Sequence, residues 1–365
     1  MSAATTEGTQ RYAARFASHA AAGHFRAQQD LLLGSIGIGT YLGEADDATD
    51  RAYTAAIVAA VEGGANVLDT AINYRFQRSE RAVGAAIAEL ARRGFAREEL
   101  VVCTKGGFLA PDGAMPADAA DYFQRIYVDT GLIGAEDVAA GCHVMAPRFL
   151  ADQIERSRKN LGVETIDVYY LHNPETQLSD FTSEVFEKRL HTAFEFLETA
   201  VTEGKIRFYG LATWKGFREP QQARDALSLA KIDILARSLA GDGHHCRFVQ
   251  LPHNLGMTEA LTRANQAIDS RTLPMIEAAH ALGITLVASA SLLQGQVARN
   301  LPPFIAQTLG LENDAERALQ FVRSTPGITT ALVGMSRLEH VRANLRLVGI
   351  APAPQDVFSK LFERR

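Results

Sequence analysis

Four residues in the first half of the chain have side chains that could move a proton together: Asp69, Tyr74, Lys105 and His172. A free tyrosine titrates at about 10, too high for a good acid at neutral pH. An ammonium within hydrogen-bond reach favours the phenolate and lowers that value. A carboxylate beside the ammonium would keep it charged and in place, and an imidazole could orient a carbonyl oxygen or relay a proton. Such a set suits protonation of an alkoxide as it develops from a carbonyl. No metal-ligand spacing joins the four, so a hydride donor is the expected companion rather than metal-assisted hydrolysis. Each also has a plainer role when taken alone. An Asp, Lys or His at a strand end is ordinarily a helix cap, an ion-pair partner or a hydrogen-bonded imidazole.

The surrounding pattern sets the four apart. Short apolar runs at 36–40, 65–70, 100–105, 166–171, 206–212, 247–251, 284–288 and 329–334 read as strands covered on both faces. Helical periodicity fills the gaps at 50–63, 79–93, 147–161, 185–203, 220–230, 273–282, 313–324 and 338–347. Pro147 stands at a first-turn position, and glycines follow several of the stretches. Eight alternating pairs predict a (β/α)8 TIM barrel, which typically takes about 250 residues. The surplus is expected in an N-terminal extension (1–30), a long insertion after strand 3 (106–146), a shorter one at 236–246, and a C-terminal helix or tail (351–365). The barrel itself would span 31–350 as one domain. Asp69, Lys105 and His172 then lie at the C-terminal ends of neighbouring strands, with Tyr74 in the loop five residues after Asp69. Barrels of this kind keep their catalytic groups on that face. An insertion as long as 106–146 is more often a lid or binding loop than filler.

Three stretches carry a resemblance: GGANVLDTAINYRFQRSERAVGAAI, with Glu80 and Gly84 downstream of the Asp and Tyr, then VVCTKGG and IDVYYLHNP. Together they resemble the aldo-keto reductase superfamily over roughly residues 30–350. The resemblance implies a tetrad of Asp69, Tyr74, Lys105 and His172. Tyr74 would be the general acid/base, with its pKa lowered by Lys105, which pairs with Asp69; His172 would position the carbonyl. It also implies an extended nicotinamide cofactor across the barrel top. No G-x-G-x-x-G opens a helix, and the glycines of GSIGIGT suit a tight first strand as well as close cofactor approach. Cofactor contacts are implied at Gly39, Thr40, Thr213, Gln250, Ser289, Gly334, Ser336, Arg337, His340 and Asn344. The segment from Gly334 to Asn344 resembles the family's adenosine end. There a helix N-terminus would offer N–H groups to a phosphate, with Ser336 as cap, and Arg337 would fork onto a 2′-phosphate, favouring NADP over NAD. Asn344 would take the adenine, and Gln250 the nicotinamide carboxamide.

The pattern is departed from at three places. Ala212-Thr213 stands where Ser-Asn is usual, Ser289 where an aromatic stacks on the nicotinamide ring, and Met335 or His340 where a second basic residue is frequent. An aromatic from the insertion could supply the stacking, the cluster of Phe108, Tyr122, Phe123 and Tyr127 there could form a lid core or line the substrate pocket, and Trp214 could pack or wall the pocket.

The charge balance argues against polyanionic partners: 37 Lys and Arg against 42 Asp and Glu leave −5. No apolar run approaches the length of a membrane helix, and Arg11, Arg15 and His19 interrupt the N-terminus, so neither a membrane span nor a secretion signal is expected. Three cysteines cannot build a disulfide framework, and the expected location is cytoplasmic. Cys142-His143 and His244-His245-Cys246 contain zinc-ligand residue types without zinc-site spacing, so no metal is expected. The favoured function is an NADP(H)-dependent oxidoreductase acting reversibly on a small-molecule aldehyde, ketone or alcohol. Two others stay open: a redox-sensing regulatory protein on the same fold, and a hydrolase or an aldolase with Lys105 as Schiff-base nucleophile.

Overall fold

The structure, a computed structural model, describes residues 3–363. Eight strands close into one parallel barrel: β1 (Ile36–Gly39), β2 (Val67–Asp69), β3 (Val101–Gly106), β4 (Ile166–His172), β5 (Ile206–Ala212), β6 (Cys246–Pro252), β7 (Thr285–Ser289) and β8 (Ile328–Gly334), with β8 pairing back onto β1. All eight expected runs become these strands. Eight helices ring them: α1 (Asp47–Glu62), α2 (Arg78–Arg92), α3 (Pro147–Leu161), α4 (Ser183–Thr202), α5 (Leu229–Ala240), α6 (Met275–Ala281), α7 (Asp314–Ser324) and α8 (Leu338–Leu345).

Side chains alternate across a strand, so residues two apart share a face. Val67, Val101, Cys103, Val168, Tyr170, Phe248 and Val287 fill the barrel interior. Continuing that alternation toward the C-terminal ends reaches Asp69 on β2, Lys105 on β3, His172 on β4 and Gln250 on β6. Asp69, Lys105 and His172 are therefore the last inward-facing positions of their strands, and Gln250 joins them directly above the apolar plug.

The opposite end is closed by the N-terminal segment. A helix (Thr6–Arg15), capped by Thr5, leads to an antiparallel hairpin of Phe25–Gln28 with Leu31–Gly34. Gln29 and Asp30, at φ 50° and 60°, form its two-residue turn. Leu31 and Leu33 join the barrel's inner cluster from below.

One helix falls elsewhere than expected. Residues 220–228 are turns rather than a helix, and α5 takes up 229–240, part of the stretch expected as an insertion. Pro220 and Ser228 both read as start signals, and Ser228 is the one whose hydroxyl accepts from Lys231 N. From that start Leu229, Ile232, Asp233 and Ala236 form the buried stripe. The hairpin of Ala264–Ile268 with Arg271–Pro274 and the helix Pro303–Leu309 were not foreseen.

Candidate functional site

Lys105 Nζ donates to Asp69 Oδ2 at 2.6 Å and to the Thr70 carbonyl at 2.8 Å. Gln250 Nε2 donates to the other Asp69 oxygen at 2.7 Å. Both members of the ion pair are buried, so their net stabilisation is small, yet removing one partner would strand a buried charge. Tyr74 lies over the pair, its ring centre 5.0 Å from Lys105 Nζ. The His172 ring meets it edge-to-face at 5.7 Å. The four predicted residues therefore converge at the C-terminal mouth.

The electrostatics differ from the sequence expectation in one respect. Burial pushes the Tyr74 phenol above its ordinary value, and the pull of the Lys105 ammonium opposes this without overcoming it. In this protein alone, then, the phenol is held protonated. Burial would lower Lys105, but the Asp69 carboxylate, by its charge and its hydrogen bond, acts against it, and the ammonium stays charged. A charged, doubly hydrogen-bonded ammonium is a poor Schiff-base nucleophile, which counts against an aldolase. Burial, then the positive charge of Lys105, puts His172 well below its usual value. Its imidazole is neutral, and its Nδ1 is buried without a partner.

The loop that aims Tyr74 carried no signal in the sequence. Arg75, Phe76 and Gln77 are consecutive left-handed residues, at φ 46°, 57° and 70°, with no glycine among them. Each such residue costs roughly 1–2 kcal/mol. The surroundings enforce the turn. Arg75 pairs with Asp50 at 2.8 Å, donates to Ser79 Oγ at 3.1 Å and lies over the Tyr53 ring. Gln77 donates to the Pro111 carbonyl at 3.2 Å.

Glu80 and Gly84 support the site from behind. Glu80 is buried and accepts from Thr104 Oγ1 at 2.6 Å and Asn160 Nδ2 at 2.8 Å, which anchors β3 beside Lys105. A Cβ on Gly84 would stand 2.4 Å from the Asn160 carbonyl, so only glycine lets α2 approach α3 this closely. Tyr41, which is exposed, has no role in the sequence reading, whereas Phe108 is the insertion aromatic that reaches the tetrad. Tyr41 meets Tyr74 edge-to-face at 5.0 Å, and Phe108 meets His172 likewise at 5.1 Å.

The predicted cofactor positions form two groups. Near the tetrad, Thr40 is buried and donates to the Asp69 carbonyl at 3.2 Å, and Gly39 pairs with Gly334. Thr213 is buried with its Oγ1 unpartnered, and Ser289 ends β7 half-buried. At the β8 end, Gly334, Arg337 and His340 are exposed, Ser336 is half-buried and Asn344 buried. Ser336 does not cap α8 as expected. Arg337 occupies the N-cap position, and no side chain closes the helix start. Tyr122, Phe123 and Tyr127 pack on one another, and Tyr127 on Phe149, forming the insertion's own core. Trp214 is partly exposed and lines a cavity of about 400 Å³ with Asn173, Glu175 and Lys215. Among the described residues, no three His, Cys, Asp or Glu side chains converge as a metal site would require, and no helix is long and apolar enough to cross a membrane.

A closed (β/α)8 barrel with polar side chains gathered at its C-terminal mouth has the architecture of a barrel enzyme. Residues 35–304 match the Aldo/keto reductase family, and the chain belongs to that family, as an oxidoreductase. It is 23% identical over 317 residues to an uncharacterized oxidoreductase, YqkF, of Bacillus subtilis, covering 86% of this chain and 85% of that protein. It is 26% identical over 212 residues to the NADH-specific methylglyoxal reductase of Escherichia coli, covering 56% and 55%. The barrel is similar to an aldo/keto reductase from Klebsiella pneumoniae solved with NADP and acetate, with a TM-score of 0.61, 19% identity and coverage of 93% and 95%.

Proposed function

We propose that the protein reduces an aldehyde or ketone to the alcohol with NADPH, reversibly, with Tyr74 as general acid. The observation that carries this reading is the buried Lys105–Asp69 pair beneath the Tyr74 ring, with His172 at the ring's edge.

Two features of the chain fit a nicotinamide dinucleotide. The Thr213 hydroxyl is buried without a partner beside the strand that carries Gln250, and its backbone N–H donates to the Gln250 carbonyl at 2.9 Å. A buried orphan hydroxyl is a place for a ligand's amide. The start of α8 is uncapped, with the exposed Arg337 beside it, which suits a phosphate. Thr213 and Gln250 would hold the carboxamide, Gly39, Thr40 and Ser289 would face the cofactor near the tetrad, and Gly334, Ser336, Arg337, His340 and Asn344 would hold the adenosine end. Bound NADPH supplies the hydride. The NADP found in the Klebsiella structure agrees with the Arg337 reading.

The residues then divide the proton work. His172 is neutral, and a hydrogen on its unpartnered Nδ1 would be a buried unsatisfied donor. The tautomer with hydrogen on Nε2 is therefore preferred, leaving that nitrogen to donate to the carbonyl oxygen. Tyr74, held protonated by burial, gives its proton to the same oxygen as negative charge develops there. Lys105 stabilises the phenolate left behind, and Asp69 keeps Lys105 charged and in place.

The test is isotope transfer. NADPH and NADH, each carrying deuterium at both C4 positions, are incubated with a panel of aldehydes and ketones. The reading expects one deuterium at the carbinol carbon of the product, delivered faster from NADPH than from NADH. Cofactor binding without any transfer would leave a regulatory role instead.

A further inference from the structure

The insertion after β3 supplies a histidine that the tetrad chemistry does not use. His143 is fully buried, and its Nε2 lies 2.8 Å from the backbone oxygen of His172, the last residue of β4. Its tautomer follows from the groups behind it. Arg189 can only donate, and it donates to Gln177 Oε1 at 2.6 Å. That fixes the Gln177 amide with its NH2 toward the histidine, where it donates to His143 Nδ1 and to the His143 carbonyl, each at 2.9 Å. Nδ1 is thus an acceptor. The ring hydrogen must be on Nε2, donating to the His172 carbonyl.

The packing is equally specific. Phe108 stands edge-to-face between the two imidazoles, 5.0 Å from His143 and 5.1 Å from His172. Gly107, at φ 134°, leaves the room: a Cβ there would stand 2.7 Å from His143 Nε2. Phe108 and His143 face each other in an antiparallel bridge that ties the two ends of the insertion together. Arg189 also donates to the carbonyls of Asp137 and Glu136, so the chain of hydrogen bonds starts on the insertion, returns to it at His143 and ends on β4.

We propose that His143 is a positioning residue for His172: the Arg189–Gln177–His143 chain, with Phe108 as spacer, fixes the end of β4 and the orientation of the His172 ring. The insertion thereby completes the active site. This rests on the reading that His172 acts at the substrate carbonyl.

The experiment is a double-mutant cycle in the full-length protein, with kcat measured at saturating NADPH and carbonyl substrate and cofactor Kd measured by protein fluorescence. His143→Leu removes the donor and keeps the bulk. It is expected to lower kcat about tenfold or more while changing the NADPH Kd by less than twofold. His143→Gln places an amide N–H near the lost Nε2 and is expected to restore most of the loss. In a His172→Gln background, His143→Leu is expected to change kcat by less than twofold, because the residue it acts through is gone. Wild-type kcat in His143→Leu, equal damage from Leu and Gln, or effects that multiply in the double variant would each overturn the proposal. Wild-type kcat in His172→Gln would instead overturn the reading of His172 itself.

Discussion

At the scale of single residues, Thr213 separates binding from folding most cleanly. Its hydroxyl is buried with no partner in the protein alone, so the fold gains nothing from it. Thr213→Val, which keeps the shape, is expected to leave the melting temperature unchanged or slightly raised. If the hydroxyl meets the nicotinamide carboxamide, the same variant loses one hydrogen bond to the cofactor, about 1 kcal/mol, or roughly a fivefold weaker NADPH Kd. A fluorescence titration alongside a thermal melt checks both halves. Tyr74 shows why residue type alone misleads about acidity. Lys105 does pull the phenol down, as its charge requires, but a phenol this enclosed loses more from desolvation than it gains from one ammonium already shared with Asp69.

At the scale of elements, the strands could be read from the sequence because parallel strands buried on both faces are apolar throughout, whatever lies around them. The tetrad could be read for a related reason. Polar residues that end such runs have no place in a core, and the alternation that buries Val101 and Cys103 also turns Lys105 inward. What could not be read is long-range. The left-handed turn of Arg75, Phe76 and Gln77 is enforced by Asp50, Tyr53 and Pro111, which are remote in sequence. The start of α5 is ambiguous in the sequence because Pro220 and Ser228 are both acceptable start signals, and only the match of its apolar stripe to the barrel decides between them. In the sequence His143 offers only a zinc-ligand residue type, because its hydrogen-bond partners come from segments that no local pattern connects to it. The contact between α2 and α3 gives a prediction at this scale. Gly84→Ala drives a Cβ into the Asn160 carbonyl, a backbone atom that cannot swing aside. Overpacking of this sort typically costs about 1–3 kcal/mol, which a urea titration would record as a lower midpoint with unchanged slope.

At the scale of the whole molecule, the two barrel ends have different work. The N-terminal hairpin seals one with Leu31 and Leu33, and the other carries the polar strand ends, with Asp69, Lys105 and Gln250 buried there. Just past the end of β6, His253 gives a linkage test that is independent of catalysis. It stacks on Phe321, its Nε2 meets Thr325 Oγ1 at 2.9 Å, and burial lowers its pKa from 6.5 to about 4. Its folded pKa is depressed, so the unfolded chain binds a proton between pH 6.5 and about 4 that the folded chain does not. Its contribution is fully present above pH 6.5 and is lost as the pH falls toward 4. His253→Phe removes that titration, and Thr325 keeps its bond to the Phe321 carbonyl. The unfolding free energy of the wild type minus that of the variant is expected to rise with pH across this window. Its slope should approach one proton, about 1.4 kcal/mol per pH unit. Urea titrations at four or five pH values would measure it.

The central claim is that the Tyr74 phenol delivers the proton while bound NADPH delivers the hydride. Its most direct measurement is single-turnover transfer of hydride from NADPH to a saturating aldehyde or ketone in Tyr74→Phe, with the cofactor Kd taken on the same preparation without the carbonyl compound. The account predicts a rate lower by about two to four orders of magnitude, since positioned proton transfer contributes roughly that much, with the Kd within about threefold of wild type. An undiminished rate in that variant would contradict the claim, because another group would then have to be the acid.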